Sequence, residues 1–233
     1  MLGIKERKER IGIRIDKEDV YRHLGYPAGQ KMPARMSSLL NEYLENVNNL
    51  VDASYAYVIK DIEFVHGSFV IVENSVIFES QIIAKLLGQC EMVAVFALTI
   101  GDQLEKTVYK LADDGLVLQA TVLDAIGSVA VESVADSMHS MISALAEAQG
   151  LCTSRRFSPG YCDWEIDQQK RVFQSMNGEA VDVNLTEGYL MVPQKSISGI
   201  IGIGTRERDV QNYNPCNACK EKDCPGRRES SNI

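Results

Sequence analysis

Apolar residues recur at helical spacing in six parts of the chain. Asp16 is placed to cap the first helix, which ends near Leu24 because Gly25 and Pro27 follow. Ser80 is placed in the same way to cap a later helix. The predicted helices cover about residues 16–24, 36–51, 80–87, 101–112, 116–148 and 165–176.

Between these helices the pattern changes to short runs rich in β-branched and aromatic residues. The runs cover residues 55–59, 68–72, 76–78, 92–100 and 198–203, and the first three form an antiparallel meander. The run at 92–100 is almost continuously apolar, which predicts a strand buried on both faces. Because strands and helices alternate irregularly, we expect an α+β fold: an antiparallel sheet with a long central helix and flanking helices.

The same pattern divides the chain into three parts. Residues 1–52 form an N-terminal helical segment, 53–210 a mixed core, and 211–233 a polar tail that contains proline and cysteine. The long helix at 116–148 carries small residues such as Gly127, which permit close approach of another backbone. Its acidic residues, Asp124, Glu132 and Asp136, argue against a membrane span.

Composition narrows the classes of partner. The 233 residues are 45% hydrophobic, which is enough for a buried core, and the formal charge is −8. That charge leaves no basic face for a phosphate backbone, so we expect no nucleic-acid partner. The first residues lack the apolar segment of a signal peptide, and the six cysteines do not form a disulfide framework. We therefore expect a cytoplasmic protein with no membrane partner.

Several familiar motifs fail. Gly199, Gly202 and Gly204 start a dinucleotide fingerprint, but Glu207 stands where its third glycine would fall and no helix pattern follows. The C-terminal Cys-x2-Cys-x4-Cys differs from the Cys-x3-Cys-x2-Cys of radical enzymes. None of the three histidines lies in the Asp-x-His-x-x-Gly motif that ligates cobalt in corrinoid proteins, and none supports a hydrolytic triad.

Three segments carry a resemblance. They are an apolar strand ending in Thr-x-Gly (93–101), Arg-Phe-Ser-Pro-Gly-Tyr (156–161), and Leu-Thr-Glu-Gly-Tyr-Leu-Met-Val-Pro followed by Ser-Ile-Ser-Gly (185–199). In this order and spacing they resemble the activation module of cobalamin-dependent methionine synthase. The resemblance covers about residues 90–204 and also supports the predicted fold.

The resemblance implies a reactivation factor that stands alone. Such a protein binds S-adenosylmethionine and returns an oxidised corrinoid to the methylated state. The corrinoid is held by a partner, either core methionine synthase or another corrinoid-binding methyltransferase. A flavodoxin-like or iron–sulfur reductant is implied as a further partner. No protein nucleophile is needed, because the chain contributes positioning and desolvation.

The site residues implied by the resemblance suit this ligand. The planar fork of Arg156 matches a carboxylate. Ser158, Pro159 and Gly160 form a turn where the backbone can approach a ligand, and Tyr161 offers an aromatic face to adenine or to a cation. The alternative is a tight surface turn without a ligand.

A second group lies on the long helix and in the third segment. Glu132 is costly to bury unless a cation such as the ligand ammonium or sulfonium meets it; the alternative is a solvated residue. Thr186 and Glu187 either face the ligand or partner, or stabilise a turn. The family's N-terminal acidic contact is assigned only by region, to Asp16 or Asp19. Arg206 and the residues after it replace the aromatic residues that the family carries there.

The tail presents a separate chemistry. Cys216, Cys219 and Cys224 have a spacing compatible with a zinc or iron–sulfur site that lacks one ligand. The fourth ligand could come from Cys90, Cys152, Cys162 or a second chain; otherwise the site is open, or the tail only bears thiols. Two other functions remain: a metal or iron–sulfur redox subunit, or a docking subunit, of a corrinoid methyltransferase complex.

Overall fold

A computed structural model describes residues 5–7, 13–26, 29–73, 76–176 and 181–217, the first three by their backbone alone. The strands are β1 (Lys5–Arg7), β2 (Ser54–His66), β3 (Phe69–Val72), β4 (Val76–Glu79), β5 (Met92–Thr99), β6 (Leu151–Phe157), β7 (Asn184–Leu185), β8 (Met191–Val192) and β9 (Ser196–Thr205). The helices are α1 (Lys17–His23), α2 (Ala34–Asn46), α3 (Gln81–Leu87), α4 (Gln103–Asp113), α5 (Val117–Glu147) and α6 (Gln169–Ser175). Single 3₁₀ turns cover Val47–Asn49, Ile166–Gln168 and Pro215–Asn217.

The main sheet is antiparallel throughout. Its strand order is β4-β3-β2-β5-β9-β6, and β1 pairs with β2. The long strand β2 pairs with three strands, since residues 55–57 pair with β1, residues 54–61 with β5 on the other edge, and residues 62–66 with β3. The β7–β8 hairpin forms a separate two-stranded sheet. The predicted α+β class with an antiparallel sheet is confirmed.

Both faces of the central strands are covered. On β5, Phe96 and Leu98 join the core beneath α1, α2 and α5, whereas Val93 and Val95 join a second core with α3 and α6. Alternate side chains of a strand point to opposite faces, so a strand covered on both sides must be apolar at every position. The predicted burial of both faces is therefore confirmed.

Helix α5 is the central helix that the sequence predicts. It packs on α4 so closely that a Cβ on Gly127 would lie 2.6 Å from Cδ2 of Leu104. Among the described helices, α5 is the one that is long and apolar enough to cross a membrane, by length and composition only. In its most apolar stretch of 18 residues, 56% is buried inside the protein. A mostly buried core helix of a folded domain meets the same criterion.

The three glycines of the failed fingerprint lie inside β9, where they permit close packing. A Cβ on Gly199 would lie 2.1 Å from the carbonyl oxygen of Phe157, and one on Gly202 would lie 2.6 Å from Sγ of Cys90. These positions have no room for a side chain. The prediction that this segment does not form a dinucleotide-binding loop is confirmed by its place within a strand.

Some strands carried too little pattern to be predicted, namely β1, β6, β7 and β8. In β6 the polar residues Thr153 and Ser154 are buried, which hides the apolar alternation expected of a strand. The Thr153 hydroxyl lies 2.6 Å from the Ser143 hydroxyl of α5, and the amide of Gly202 donates to the Ser154 hydroxyl at 2.8 Å. These partners exist only in the folded structure. The C-terminal predicted helix also divides, into a 3₁₀ turn and α6.

Candidate ligand-binding site

Arg156 lies near the end of β6, just after an irregularity in the pairing with β9. Its guanidinium reaches α5, where Nη1 donates to Oδ1 of Asp136 at 2.7 Å and Nη2 to Oε2 of Glu132 at 3.1 Å. The two carboxylates are four residues apart and therefore lie on one helix face. The Arg156 side chain is only 19% exposed, whereas Glu132 and Asp136 are 62% and 72% exposed. Two residues of the predicted site, Arg156 and Glu132, are thus in direct contact.

The two carboxylates line a cavity of about 780 Å³ between α1, α5 and the segment that opens β9. Its volume is within the range of small-molecule sites, about 300–1,000 Å³. The wall carries both signs of charge and a small apolar area. It is formed by Arg14, Asp19, Arg22, His23, Ser128, Val129, Val131, Glu132, Ser133, Asp136, Gln194, Lys195 and Ile197.

Lys195 is a cavity residue that sequence reasoning missed. Its Nζ lies 2.8 Å from Oδ1 of Asp124 and donates to Oγ of Ser128 at 2.8 Å, and the side chain is 16% exposed. It lies within the third motif at a position where the family pattern specifies no residue, so nothing in the sequence marked it. Asp136 was also missed, although its position one turn after Glu132 was a usable signal.

Helix α1 supplies the wall opposite α5. Asp19 and Arg22 line the cavity and form an ion pair with each other. Asp16 instead caps α1, because its Oδ1 accepts from the amide of Glu18 at 2.9 Å. Of the two acidic residues named by region, Asp19 is the one at the cavity. Ser133 ties the preceding segment to α5 by donating its hydroxyl to the Arg14 carbonyl at 2.9 Å.

His139 links the same two elements behind Arg156. Its Nε2 lies 2.9 Å from the carbonyl oxygen of Ser154, which makes it the donor in a neutral ring. Burial lowers the pKa of His139, and the nearby positive charge of Arg156 lowers it further. The ring is therefore neutral at neutral pH and adds no positive charge beside Arg156.

The turn at 158–161 follows β6 but does not line this cavity. The amide of Gly160 donates to the Trp164 carbonyl at 2.7 Å, and φ of Gly160 is 92°, in the left-handed region that favours glycine. Tyr161 is 65% exposed. Of the motif 156–161, Arg156 is the residue whose side-chain hydrogen bonds reach the cavity wall, at Glu132 and Asp136. The ligand roles of Ser158, Pro159, Gly160 and Tyr161 stay predictions.

Thr186 and Glu187 lie at the tip of the β7–β8 hairpin. The Thr186 hydroxyl accepts from the Leu190 amide at 3.1 Å, and its carbonyl accepts from the Tyr189 amide at 3.0 Å. Thr186 therefore stabilises the turn, and Glu187 is exposed. Neither lines the cavity, although Gln194 and Lys195, which follow β8, do. A ligand or partner role for either residue stays a prediction.

The cysteine site is only partly within the described part of the chain. Cys216 lies in the last 3₁₀ turn, whereas Cys219 and Cys224 lie outside the described residues. Within the described ranges no three His, Cys, Asp or Glu side chains are grouped to hold a metal. Zinc or iron–sulfur binding stays a prediction.

Comparison with known proteins decides the family. The model of the family described as vitamin B12 dependent methionine synthase, activation domain, matches residues 73–215, which is more than half of the chain. The chain belongs to this activation-domain family. The resemblance found in the sequence is thereby confirmed. No curated protein matches the chain.

A solved structure supports the same fold for this activation-domain protein. The crystal structure of the MetH reactivation domain bound to AdoHcy superposes with a TM-score of 0.65 at 15% sequence identity. The match covers 86% of this chain and 78% of that one. At this identity the match shows a common fold. The cavity wall includes residues inside and outside the part of the chain that the family model matches. Glu132 and Lys195 lie within residues 73–215, whereas Arg14 and Asp19 precede them.

Proposed function

We propose that this protein binds S-adenosylmethionine in the cavity between α1, α5 and β9. In this role it supports reductive methylation of an oxidised corrinoid. The corrinoid is carried by a partner, either core methionine synthase or another corrinoid methyltransferase. Membership of the activation-domain family supports the role. The observation that carries the choice of site is the contact of Arg156 and Glu132 at the wall of a cavity with both signs of charge.

The residues present suit the ligand group by group. Arg156 offers two parallel N–H donors to the ligand carboxylate. Glu132 and Asp19 offer negative charge to the ammonium and the sulfonium, whereas Asp136 pairs with Arg156. Val129 and Ile197 add apolar surface for the nucleoside. A ligand that carries both charges can exchange partners with an existing ion pair, so no buried charge is left unpaired.

The contribution of the chain to methyl transfer is positional. The bound sulfonium supplies a methyl group to cobalt(I), and the departing product is the neutral thioether S-adenosylhomocysteine. Methylation removes cobalt(I) and would so pull forward the unfavourable one-electron reduction of cobalt(II), for which a flavodoxin-like or iron–sulfur protein is the expected reductant. Within this chain, Arg156 and Glu132 fix the amino-acid end of the ligand.

A second function rests on the cysteine motif. Cys216, Cys219 and Cys224 are spaced for a metal or iron–sulfur site, which suits a redox or docking subunit of a corrinoid methyltransferase complex. In that case the complex would form, and electrons would pass, whether or not S-adenosylmethionine is present. Partner binding measured with and without the nucleoside separates the two functions.

Calorimetry tests the proposed site. We expect the wild-type chain to release or absorb heat with S-adenosylmethionine, and Arg156→Ala to bind about 10- to 150-fold more weakly, because a hydrogen bond to a charged group contributes about 1.5–3 kcal/mol. Arg155→Ala is the matched control, since it removes the same side chain one position earlier. Absence of binding by the wild type overturns the function; equal loss in both variants overturns the site.

A further inference from the structure

Strands β2, β3 and β4 form a meander that is covered on one side only, within the described part of the chain. The helices that pack on it are α3 and α6. Both lie on the side where Val70, Val72 and Phe78 are buried in the second core. From residue 64 of β2 onward, no described residue on the other side belongs to either core. The meander therefore has one layer of helices and one open side.

The strand register shows which side chains lie on this open side. Residues that are paired between neighbouring strands point to the same side of a sheet. The open side carries two rows of three, which we call the outer face: Phe64, Ile71 and Ile77, and then His66, Phe69 and Glu79. Phe64, Phe69 and Ile77 are 55%, 45% and 41% exposed, and Ile71 is half-buried. Four large apolar side chains thus lie together at the surface.

The composition of the outer face is that of a covered surface. An antiparallel sheet with one side in water normally carries polar residues on that side. Single exposed apolar residues are common, but these four are contiguous, because directly paired side chains lie about 4.5–5.5 Å apart at Cβ. The rings of Phe64 and His66 also stack, with 5.9 Å between centroids. A contiguous apolar patch with polar residues at its rim is typical of a site of association.

The outer face is complementary to itself. In its second row the exposed side chains of His66 and Glu79 lie at the two ends, with Phe69 between them. A two-fold axis that runs along β3, midway between two facing copies, exchanges the two ends of each row. It therefore sets His66 of each copy opposite Glu79 of the other, where the ring N–H can donate to the carboxylate. In the first row it sets Phe64 opposite Ile77, so apolar residues meet apolar residues.

We propose that two copies of this chain associate through the outer face, with their meanders packed face to face about this two-fold axis. The same patch then serves both copies, as in most homodimers. Sheets that pack in this way lie about 10 Å apart, so the facing side chains interdigitate. Phe69 lies in the central strand, next to the axis, and meets its own counterpart. The cavity between α1, α5 and β9 takes no residue from the outer face.

The size of the outer face sets the strength of the association. Three strands spaced about 4.8 Å apart, with two outward residues along each, form a small patch. Such an interface belongs to the class that buries less than about 1,200 Å² in total, in which complexes are weak or transient. We therefore expect a dissociation constant in the micromolar range, so that monomer and dimer exchange at concentrations that are easily reached.

Sedimentation velocity of the full-length chain tests the proposal. Over about 1–200 µM, which brackets a micromolar Kd, we expect the sedimentation coefficient to rise from that of a monomer toward that of a dimer. Phe69→Thr keeps a strand-forming residue but removes the ring at the axis, so it should raise the Kd at least about tenfold. Val117→Thr, which changes an exposed apolar residue at the start of α5, is the control and keeps wild-type association. A wild-type chain that stays monomeric overturns the proposal, as does equal association of Phe69→Thr.

A change of charge at the two ends of the second row tests the two-fold arrangement itself. His66→Glu sets two carboxylates against each other and should raise the Kd about 2- to 30-fold, because the contact occurs twice in the dimer. The addition of Glu79→Lys restores a pair of opposite charges, so the double variant should return to within about threefold of wild type. Thermal unfolding checks that each variant is folded. No recovery in the double variant overturns the proposal. A chain that is monomeric alone but binds an added corrinoid-binding protein through Phe69 also overturns it, and assigns the outer face to that partner.

Discussion

Because Arg156 pairs with both Asp136 and Glu132, neutralising these two carboxylates should change the affinity for S-adenosylmethionine in opposite directions. Arg156 bonds to Asp136 at 2.7 Å and to Glu132 at 3.1 Å. If Arg156 receives the ligand carboxylate, Asp136 competes for the same guanidinium. If Glu132 receives the ligand ammonium, its charge favours the complex. We therefore expect Asp136→Asn to strengthen S-adenosylmethionine binding and Glu132→Gln to weaken it.

The exposure of each side chain sets the expected size of the effect. Asp136 is 72% exposed, so its pair with Arg156 belongs to the surface class, which contributes about 0.2–1 kcal/mol. Its removal should strengthen binding about 1.4- to 5-fold. Loss of a hydrogen bond between Glu132 and a charged ligand group costs about 1.5–3 kcal/mol, or about 10- to 150-fold in affinity.

Isothermal titration calorimetry at low ionic strength measures both changes. Asp113→Asn, at the exposed end of α4, is the control for the loss of one negative charge. Thermal unfolding of each variant checks that the fold is retained. Weaker binding by Asp136→Asn would show that Asp136 contacts the ligand. Unchanged binding by Glu132→Gln would refute its assigned role.

Three further predictions concern the fold around the site. Gly199→Ala places a Cβ against the Phe157 carbonyl and should lower the free energy of unfolding by about 1–3 kcal/mol, measured in urea; an unchanged midpoint would contradict the close packing. The pKa of His139 is lower in the folded than in the unfolded chain, so the unfolded chain binds more protons below about pH 6.5. The free energy of unfolding therefore decreases as the pH is lowered, by at most about 1.4 kcal/mol per pH unit. His139→Gln should flatten that part of a pH series of thermal melts, and an unaltered slope would argue against a neutral buried ring. Asp163→Ala removes the carboxylate that accepts from the Gln81 amide and supports the N-cap Ser80 of α3, and it should cost about 0.5–2 kcal/mol by the same urea titration; a loss below this range would show that water replaces the carboxylate.

The sequence predicted the fold best where burial imposes a strict period. Helix α5 and strand β5 follow from apolar patterns, because each packs against a core along its length. Strand β6 has no such pattern, since Thr153 and Ser154 find their partners on α5 and β9. Polar residues that are satisfied by distant partners look like loop residues in a sequence.

The candidate site was predicted in its members but not in its contacts. Arg156 and Glu132 were identified through the resemblance, the first in a motif and the second where the family carries a glutamate on the long helix. Their direct contact could not be read from positions 24 residues apart, because it depends on how β6 crosses α5. Lys195 and, on α1, Arg22 and His23 were missed for the same reason, since side chains converge there from parts of the chain that share no local signal.

Helix α5 also limits how the recognition surface can change over evolution. Its inner face is locked into the core from Ala120 to Ala146, so the backbone cannot slide to suit a different small molecule. The outward carboxylates therefore keep a spacing set by the helical repeat. New ligand preferences would have to arise through substitution of individual outward side chains on a helix whose backbone stays in place. This face is therefore a practical target for redesign.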